Sequence, residues 1–463
     1  MNKKLITGIL GILAGILVVF LPAPEGLSRE AMLVLGTVVT ANVFWIADLI
    51  PNFATGLIMI SLWAGLGIVQ FNEAFGVFSS SAWWIVIGGL GIGSVATKTG
   101  LVKRVALNIM RFFPLNYGGQ SLALFVAGTA VAPAIPSTNA KGAIAAPISR
   151  SISESLGYEE GSDQSAGIFM SMVWGFLVSG AVFLSATSIN YAIKGLLPEN
   201  VQAQLAWADW FKVAIPWALV SMVGGYFALQ FLYKPKNEQT MSKETILKQI
   251  ADLGPMSREE KITAIVLAIT LIFWVLERQL GISASISAII SLSVLVGFGV
   301  MKPAEFKNSI GWDVAIFIGT AMSLGTVLGL VGVSEWLKVN LSGVITPLLD
   351  NPFLTVVVLA LIIYAAKFIL VSLITSSTIF LLILIPFFEG LSYNPVILVF
   401  IVATSINIWF LPYMNPPYLT TSAAVNNKMA LNKHAMVTSV VYMILNILGL
   451  LISLPYWQMI GLI

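Results

Sequence analysis

Long apolar runs separated by short polar interruptions repeat from one end of the chain to the other. An α-helix needs about 20 apolar residues to cross roughly 30 Å of hydrocarbon. On that measure the pattern predicts crossing helices near 5–22, 31–49, 53–71, 83–100, 164–186, 208–232, 262–278, 283–301, 312–333, 395–411 and 436–458. The first run, "LITGILGILAGILVVFLPA", lacks a small-residue cleavage site at its end and is expected as a membrane helix rather than a signal peptide. Two further apolar stretches, about 120–148 and 352–388, break the pattern with polar residues at mid-depth, the first also with Pro133, Pro136 and Pro147. Irregular backbone at that depth survives only inside protein or beside a water-filled cavity. Both stretches are therefore expected as re-entrant helical hairpins. The predicted fold is an all-α polytopic membrane protein of about eleven transmembrane helices plus two hairpins.

Composition agrees, with 58% hydrophobic and 10% charged residues among 463, against about 25% charged in a soluble domain. Lys3 and Lys4, then Lys103, Arg104 and Arg111, then the polar segment 234–261 all fall on one predicted side. The positive-inside rule makes that side cytoplasmic, with the N terminus inside and the C terminus outside a cell inner or plasma membrane. Within 234–261, "SKETILKQIADLG" has helical spacing behind a Ser cap and is expected as a surface helix joining two membrane halves. A net charge of +3 needs no nucleic-acid partner.

The two halves look related. "WIVIGGLG" at 84–91 resembles "WDVAIFIG" at 312–319, and "TSIN" at 187–190 has a weaker partner in "NPPY" at 415–418. Between them, Ser137, Thr138 and Asn139, with Pro147, match Ser376, Ser377 and Thr378, with Pro386. The three pairs keep their order, and an odd number of spans separates their members. That spacing predicts an inverted repeat, which in secondary transporters places a site near the midplane.

The polar triplets then acquire a chemical meaning. A hairpin tip leaves backbone N–H groups unpaired at a helix N-terminus carrying partial positive charge. Hydroxyl and amide side chains add neutral donors, so two facing tips would cradle the two ends of a dicarboxylate. Lys141 lies one turn past Ser137, where a lone ammonium is by default functional. Lys367 lies deep in the second hairpin region, where a carbonyl or carboxylate is its expected partner, and Asp313 reads as a charge at a helix N-terminus. His434, the chain's single His, reads as solvated in a basic loop.

The paired motifs, each followed by a Pro and later by "NPPYLTTSAA", resemble the divalent anion:sodium symporter family of dicarboxylate and citrate carriers. The resemblance implies a homodimer in which scaffold segments (1–111 and 208–333) hold still while transport segments (112–207 and 334–463) move as an elevator. It also implies that Thr187, Asn190, Asn415 and Pro417 belong to unwound segments that hold sodium in relatives. The usual hairpin motif of the family is Ser-Asn-Thr, from which both copies here depart. The unwound segments depart from Thr-Pro-Pro-Asn as well, the first lacking both prolines and the second the Asn. Lys141 stands where the citrate, tartrate and plastid 2-oxoglutarate exchangers of the family carry a basic residue.

These features predict a secondary transporter of C4–C6 di- and tricarboxylates such as succinate, malate, 2-oxoglutarate and citrate. Sodium-independent anion exchange is the leading expectation, with sodium-coupled symport and, more distantly, a passive anion channel as alternatives. No HExxH pair, Gly-x-Ser-x-Gly elbow or Cys nucleophile is present, so enzymatic activity is not expected. Nor does the chain carry a Walker A motif, a metal cluster or a cofactor motif.

Overall fold

The computed structural model describes residues 3–463, and among these it is built from helices and turns. The first third contains α1 (Lys3–Phe20), α2 (Arg29–Ala47), α3 (Asn52–Gly65), α4 (Phe71–Phe75), α5 (Ser81–Lys98) and α6 (Leu101–Met110). There follow α7 (Tyr117–Val131), α8 (Thr138–Ser155), α9 (Asp163–Phe176), α10 (Ser188–Leu196), α11 (Glu199–Gln202) and α12 (Trp207–Tyr233). The middle holds α13 (Lys243–Asp252), α14 (Arg258–Val275), α15 (Glu277–Leu280), α16 (Ala284–Gly297), α17 (Pro303–Ser309), α18 (Trp312–Leu330) and α19 (Val333–Leu349). The chain ends with α20 (Pro352–Ala366), α21 (Leu373–Leu384), α22 (Val396–Ser405), α23 (Pro416–Ala423) and α24 (Asn432–Met459).

Local sequence explains where many of these helices begin. Ser28, Ser80, Asn116, Ser162, Ser257 and Ser283 each cap a helix, their side-chain oxygens accepting a first-turn N–H. Ser242 caps α13 at the position expected from sequence. Asp313 stands in the first turn of α18, as a helix N-terminus favours.

Among the described residues, five helices are long and apolar enough to cross a bilayer, or seven if each of two bent pairs is one span. The expected count of eleven is higher because several predicted spans are short or broken. The run at 53–71 yields the 14-residue α3, and that at 283–301 the 14-residue α16. The span expected at 164–186 is interrupted: α9 passes into 3₁₀ turns at Val178–Ala181 and Leu184–Ala186, and helix resumes as α10. The span expected at 395–411 ends at Ser405, and after a 3₁₀ turn at Pro412–Met414 α-helix resumes at Pro416. Apolar length in the sequence records depth of burial, not continuity of helix.

Two consecutive helix pairs occupy the stretches expected as hairpins. The first is α7 and α8, broader than 120–148, with its tip at 135–137. Pro133 sits in a 3₁₀ turn before that tip, whereas Pro147 lies within α8 without ending it. The second pair is α20 and α21, with its tip at 367–372. Gly128 of α7 and Gly175 of α9 let the two backbones meet: a Cβ on either would strike main-chain atoms of the other helix.

Contacts between distant elements come in matching pairs. Helix α5 packs on α16 as α18 packs on α3, α10 packs on α21 as α23 packs on α8, and α12 packs along α24. A large buried cluster runs from α5 to α24, and a smaller one joins α2, α3 and α4 to α18. The two helices that resume after a break, α10 and α23, thus each lie against the opposite hairpin.

Candidate functional site

Four helices start at one place. Ser137 caps α8, its Oγ accepting from Ala140 N at 3.2 Å, and Thr187 caps α10, accepting from Ile189 N at 3.3 Å. Ser372 caps α21, accepting from Thr375 N at 3.2 Å, and Asn415 caps α23, accepting from Tyr418 N at 3.0 Å. The first residues of all four helices line a single cavity of about 410 Å³: Ser137–Asn139, Thr187–Ile189, Ser372–Ile374 and Pro416–Pro417. Four positive helix ends directed to one volume form an anion-binding environment without requiring an exposed cation.

Hydrogen bonds hold the first tip against the first break. Ser188 N donates to Pro136 O at 2.7 Å, and Ser185 Oγ donates to Pro133 O at 2.8 Å while accepting from Trp207 Nε1 at 2.9 Å. Asn139 Oδ1 accepts from Thr420 Oγ1 at 3.1 Å, which ties the same tip to α23.

Behind this cavity lie two fully buried lysines, each 0% exposed. Lys141 Nζ donates to Ala186 O at 2.8 Å, beside the cavity-lining Thr187. Lys367 Nζ donates to Val371 O at 2.8 Å, and Val371 itself lines the cavity. The Lys141 amino group therefore sits one residue behind the cavity lining, and that of Lys367 at the carbonyl of a lining residue. Lys141 does not snorkel to a surface, and the expected carbonyl partner of Lys367 is present.

Four carbonyls in the two breaks accept from the chain's own side-chain donors. Asn190 Nδ2 donates to Gly180 O and Phe183 O, both at 2.9 Å, Lys141 takes Ala186 O, and Asn415 Nδ2 donates to Asn407 O at 3.3 Å. A sodium ion needs several oxygen ligands together, and this donor set competes with it for those oxygens.

Of the residues singled out from sequence, Ser137, Thr138, Asn139, Thr187 and Pro417 line the cavity. Lys141, Asn190 and Asn415 support it from behind, all buried. The second triplet is displaced: Ser376, Ser377 and Thr378 are buried in the first two turns of α21 and do not line the cavity. Ser376 Oγ donates to Leu370 O and Ser372 O, and Ser377 Oγ donates to Ile374 O. The capping role that Ser137 has at α8 falls to Ser372 at α21, because "SLIT" at 372–375 supplies the cap while the triplet falls after the helix has begun. Sequence matching on polar content alone missed Ser372, Ser188 and the α2–α3 residues Trp45, Asp48 and Asn52, which also line the cavity. The Ser372 cap signal was present in the sequence.

His434 also differs from expectation. It is 3% exposed, its Nε2 lies 2.9 Å from Asp163 Oδ1, and its Nδ1 accepts from Leu431 N at 3.0 Å. Hydrogen bonding to His434, and then to Lys433, holds the Asp163 carboxyl below its usual range. His434 thus joins the start of α24 to the start of α9 instead of standing in solvent. Among the described residues, no group of three or more acidic, His or Cys side chains is placed to hold a metal.

A helical membrane bundle with two hairpin tips and two broken helices around one cavity is an architecture of transport proteins. Residues 2–463 match the family model described as "Sodium:sulfate symporter transmembrane region", and the chain belongs to this divalent anion:sodium symporter family. Among curated relatives, the "Dicarboxylate transporter 1, chloroplastic" of Spinacia oleracea is 28% identical, over 72% of this chain and 60% of its own length. The "Putative malate transporter YflS" of Bacillus subtilis (strain 168) is 27% identical over 73% of each chain. The chain thus spans about 60% of the length of the plant relative. Among solved structures, Neisseria gonorrhoeae MtrF, titled among "Antimetabolite Efflux Pumps", superposes with TM-score 0.57 at 14% identity, covering 96% of this chain and 93% of that one. The Alcanivorax borkumensis YdaH transporter gives TM-score 0.53 at 13% identity, over 86% and 89%. Both likenesses are of fold alone.

Proposed function

We propose that this chain is a secondary active transporter of C4–C6 di- and tricarboxylates that works by sodium-independent exchange. The observation that carries the reading is the convergence of four helix N-termini on one cavity backed by Lys141 and Lys367. A dicarboxylate brings two negative ends that such a cavity neutralises by dipoles and hydrogen bonds, and the printed names of relatives point to the same substrate class.

The two ammoniums bear on coupling. A sodium ion that offsets substrate charge is released with it, whereas a lysine stays. Empty, the cavity would carry uncompensated charge through the low-dielectric interior, which is costly; filled by a dianion, it would be close to neutral. Return therefore needs a second anion. Occupation of the break carbonyls by Asn190, Lys141 and Asn415 supports the same reading. Sodium-coupled symport is the second reading, favoured by the description of the family itself.

The mechanism we infer is an elevator. The matched packing of α5 on α16 with α3 on α18, and of α10 on α21 with α23 on α8, supports an inverted repeat. In this scheme 112–207 and 334–463 carry the cavity past a scaffold of 1–111 and 208–333 in a homodimer. The protein would sit in the plasma membrane with about eleven crossings, its N terminus cytoplasmic and its C terminus outside.

Titration of the purified carrier with succinate or malate tests the site. The affinity is expected to be equal in sodium and in choline buffers. Binding that requires sodium would support symport instead.

A further inference from the structure

The four cradles are donors, but the turn between α2 and α3 contributes acceptors to the same cavity. Asp48 is the one carboxylate among the described residues that line it. Its backbone is fixed: the N–H donates to Phe44 O, Lys4 Nζ donates to its carbonyl at 2.9 Å, and φ is 46°. Asp48 is exposed, and among the described residues its carboxylate has no hydrogen-bond or ion-pair partner. Asn52, four residues on, also lines the cavity, and its Oδ1 is buried with no partner. The Asn52 main-chain carbonyl is already taken by Trp45 Nε1 at 3.1 Å.

A carboxylate and an orphaned amide oxygen in an anion cavity repel a plain dianion. The Asp48 carboxylate becomes favourable only if the ligand brings a donor of its own, and the Asn52 oxygen gains a partner from the same donor. We propose that Asp48 and Asn52 are specificity-determining residues that select dicarboxylates carrying a hydroxyl or ammonium beside one carboxylate, over unsubstituted acids. The proposal deepens the dicarboxylate reading and rests on it. A site built to bond a donor discriminates against the analogue lacking it, because its polar groups are then left unpaired. Asp48 is exposed at the rim, so screening keeps the effect modest, about three- to tenfold.

Three four-carbon acids, succinate, L-malate and L-aspartate, differ only at the second carbon and form the probe series. Each is tested as competitor of labelled malate uptake into malate-loaded proteoliposomes without sodium. Malate and aspartate are expected to compete about three- to tenfold better than succinate. In Asp48→Ala and Asn52→Ala the ratio should fall towards one, a comparison within each preparation that does not depend on the amount of folded carrier. In Asp48→Asn, which keeps an acceptor but no charge, aspartate should lose more than malate. Succinate competing as well as malate and aspartate in the wild type overturns the proposal, and so does a ratio unchanged in both alanine variants. A preference that appears only when sodium is added also overturns it, since Asp48 would then hold a cation. No uptake of any of the three acids would defeat the dicarboxylate reading itself, a different result from uptake without preference.

Discussion

Lys141 Nζ lies 2.8 Å from the carbonyl oxygen of Ala186, so a buried ammonium from the first hairpin occupies an oxygen that the break in the next helix sets free. That one contact joins the hairpin tip, the broken helix and the electrostatics of the cavity. Lys141→Gln keeps a donor but removes the charge, and is expected to weaken dicarboxylate binding about tenfold or more. The estimate follows from roughly 1.5–3 kcal/mol for interactions with a charged group. Titration of the purified variant, with gel filtration as the fold control, measures it; unchanged affinity would place the ammonium outside substrate electrostatics.

The two polar groups of the second hairpin should behave differently. Ser372→Ala removes the cap of α21 at the cavity, and is expected to cost about 0.5–2 kcal/mol of stability together with reduced uptake. Thr378 has a buried hydroxyl without a partner and does not line the cavity. Thr378→Val should therefore leave uptake near wild type. Uptake and thermal melting on the two variants check both, and the reverse order would return the site to the triplet.

Gly142 of α8 faces Thr421 of α23 so closely that a Cβ would collide with Thr421 Oγ1. Gly142→Ala should separate the first hairpin from α23, loosen the Thr420–Asn139 bond and abolish uptake. The double variant Gly142→Ala with Thr421→Ala should recover part of it, read as uptake per amount of folded carrier.

Arg104 makes a two-point pair with Glu260, Nε to Oε1 at 2.8 Å and Nη2 to Oε2 at 3.0 Å, and donates further to the carbonyls of Leu253 and Gly254. The Arg104 guanidinium holds the Glu260 carboxyl below its usual range. A carboxyl lowered on folding stabilises the protein above its unfolded value, about 4.3, and loses that contribution as pH falls through the lower folded one. Melting temperature should therefore drop on acidification below about pH 4, and Glu260→Gln should lower it at neutral pH while flattening that acid drop. A full acid drop in the variant would assign it to other carboxylates.

Much of this was legible because burial in a membrane leaves long apolar runs, and because polar residues inside such runs need a reason. The runs located both helix–turn–helix pairs, and "TSIN" and "NPPY" marked the breaks that became the caps Thr187 and Asn415. Ser372 was not recognised because the repeat was matched by polar content, whereas a cap is set by one Ser and the N–H three residues on. His434 looked solvated because its partner, Asp163, is 271 residues away. Asp48 and Asn52 join the cavity only through packing of α2 and α3, which no local pattern encodes.

Counterflow in reconstituted vesicles tests obligatory sodium-independent exchange most directly. Proteoliposomes loaded with unlabelled malate, in sodium-free buffer, should accumulate labelled malate, while empty vesicles should take up little. Adding an inward sodium gradient should change neither. Strong uptake by empty vesicles that appears only with the sodium gradient would contradict the account.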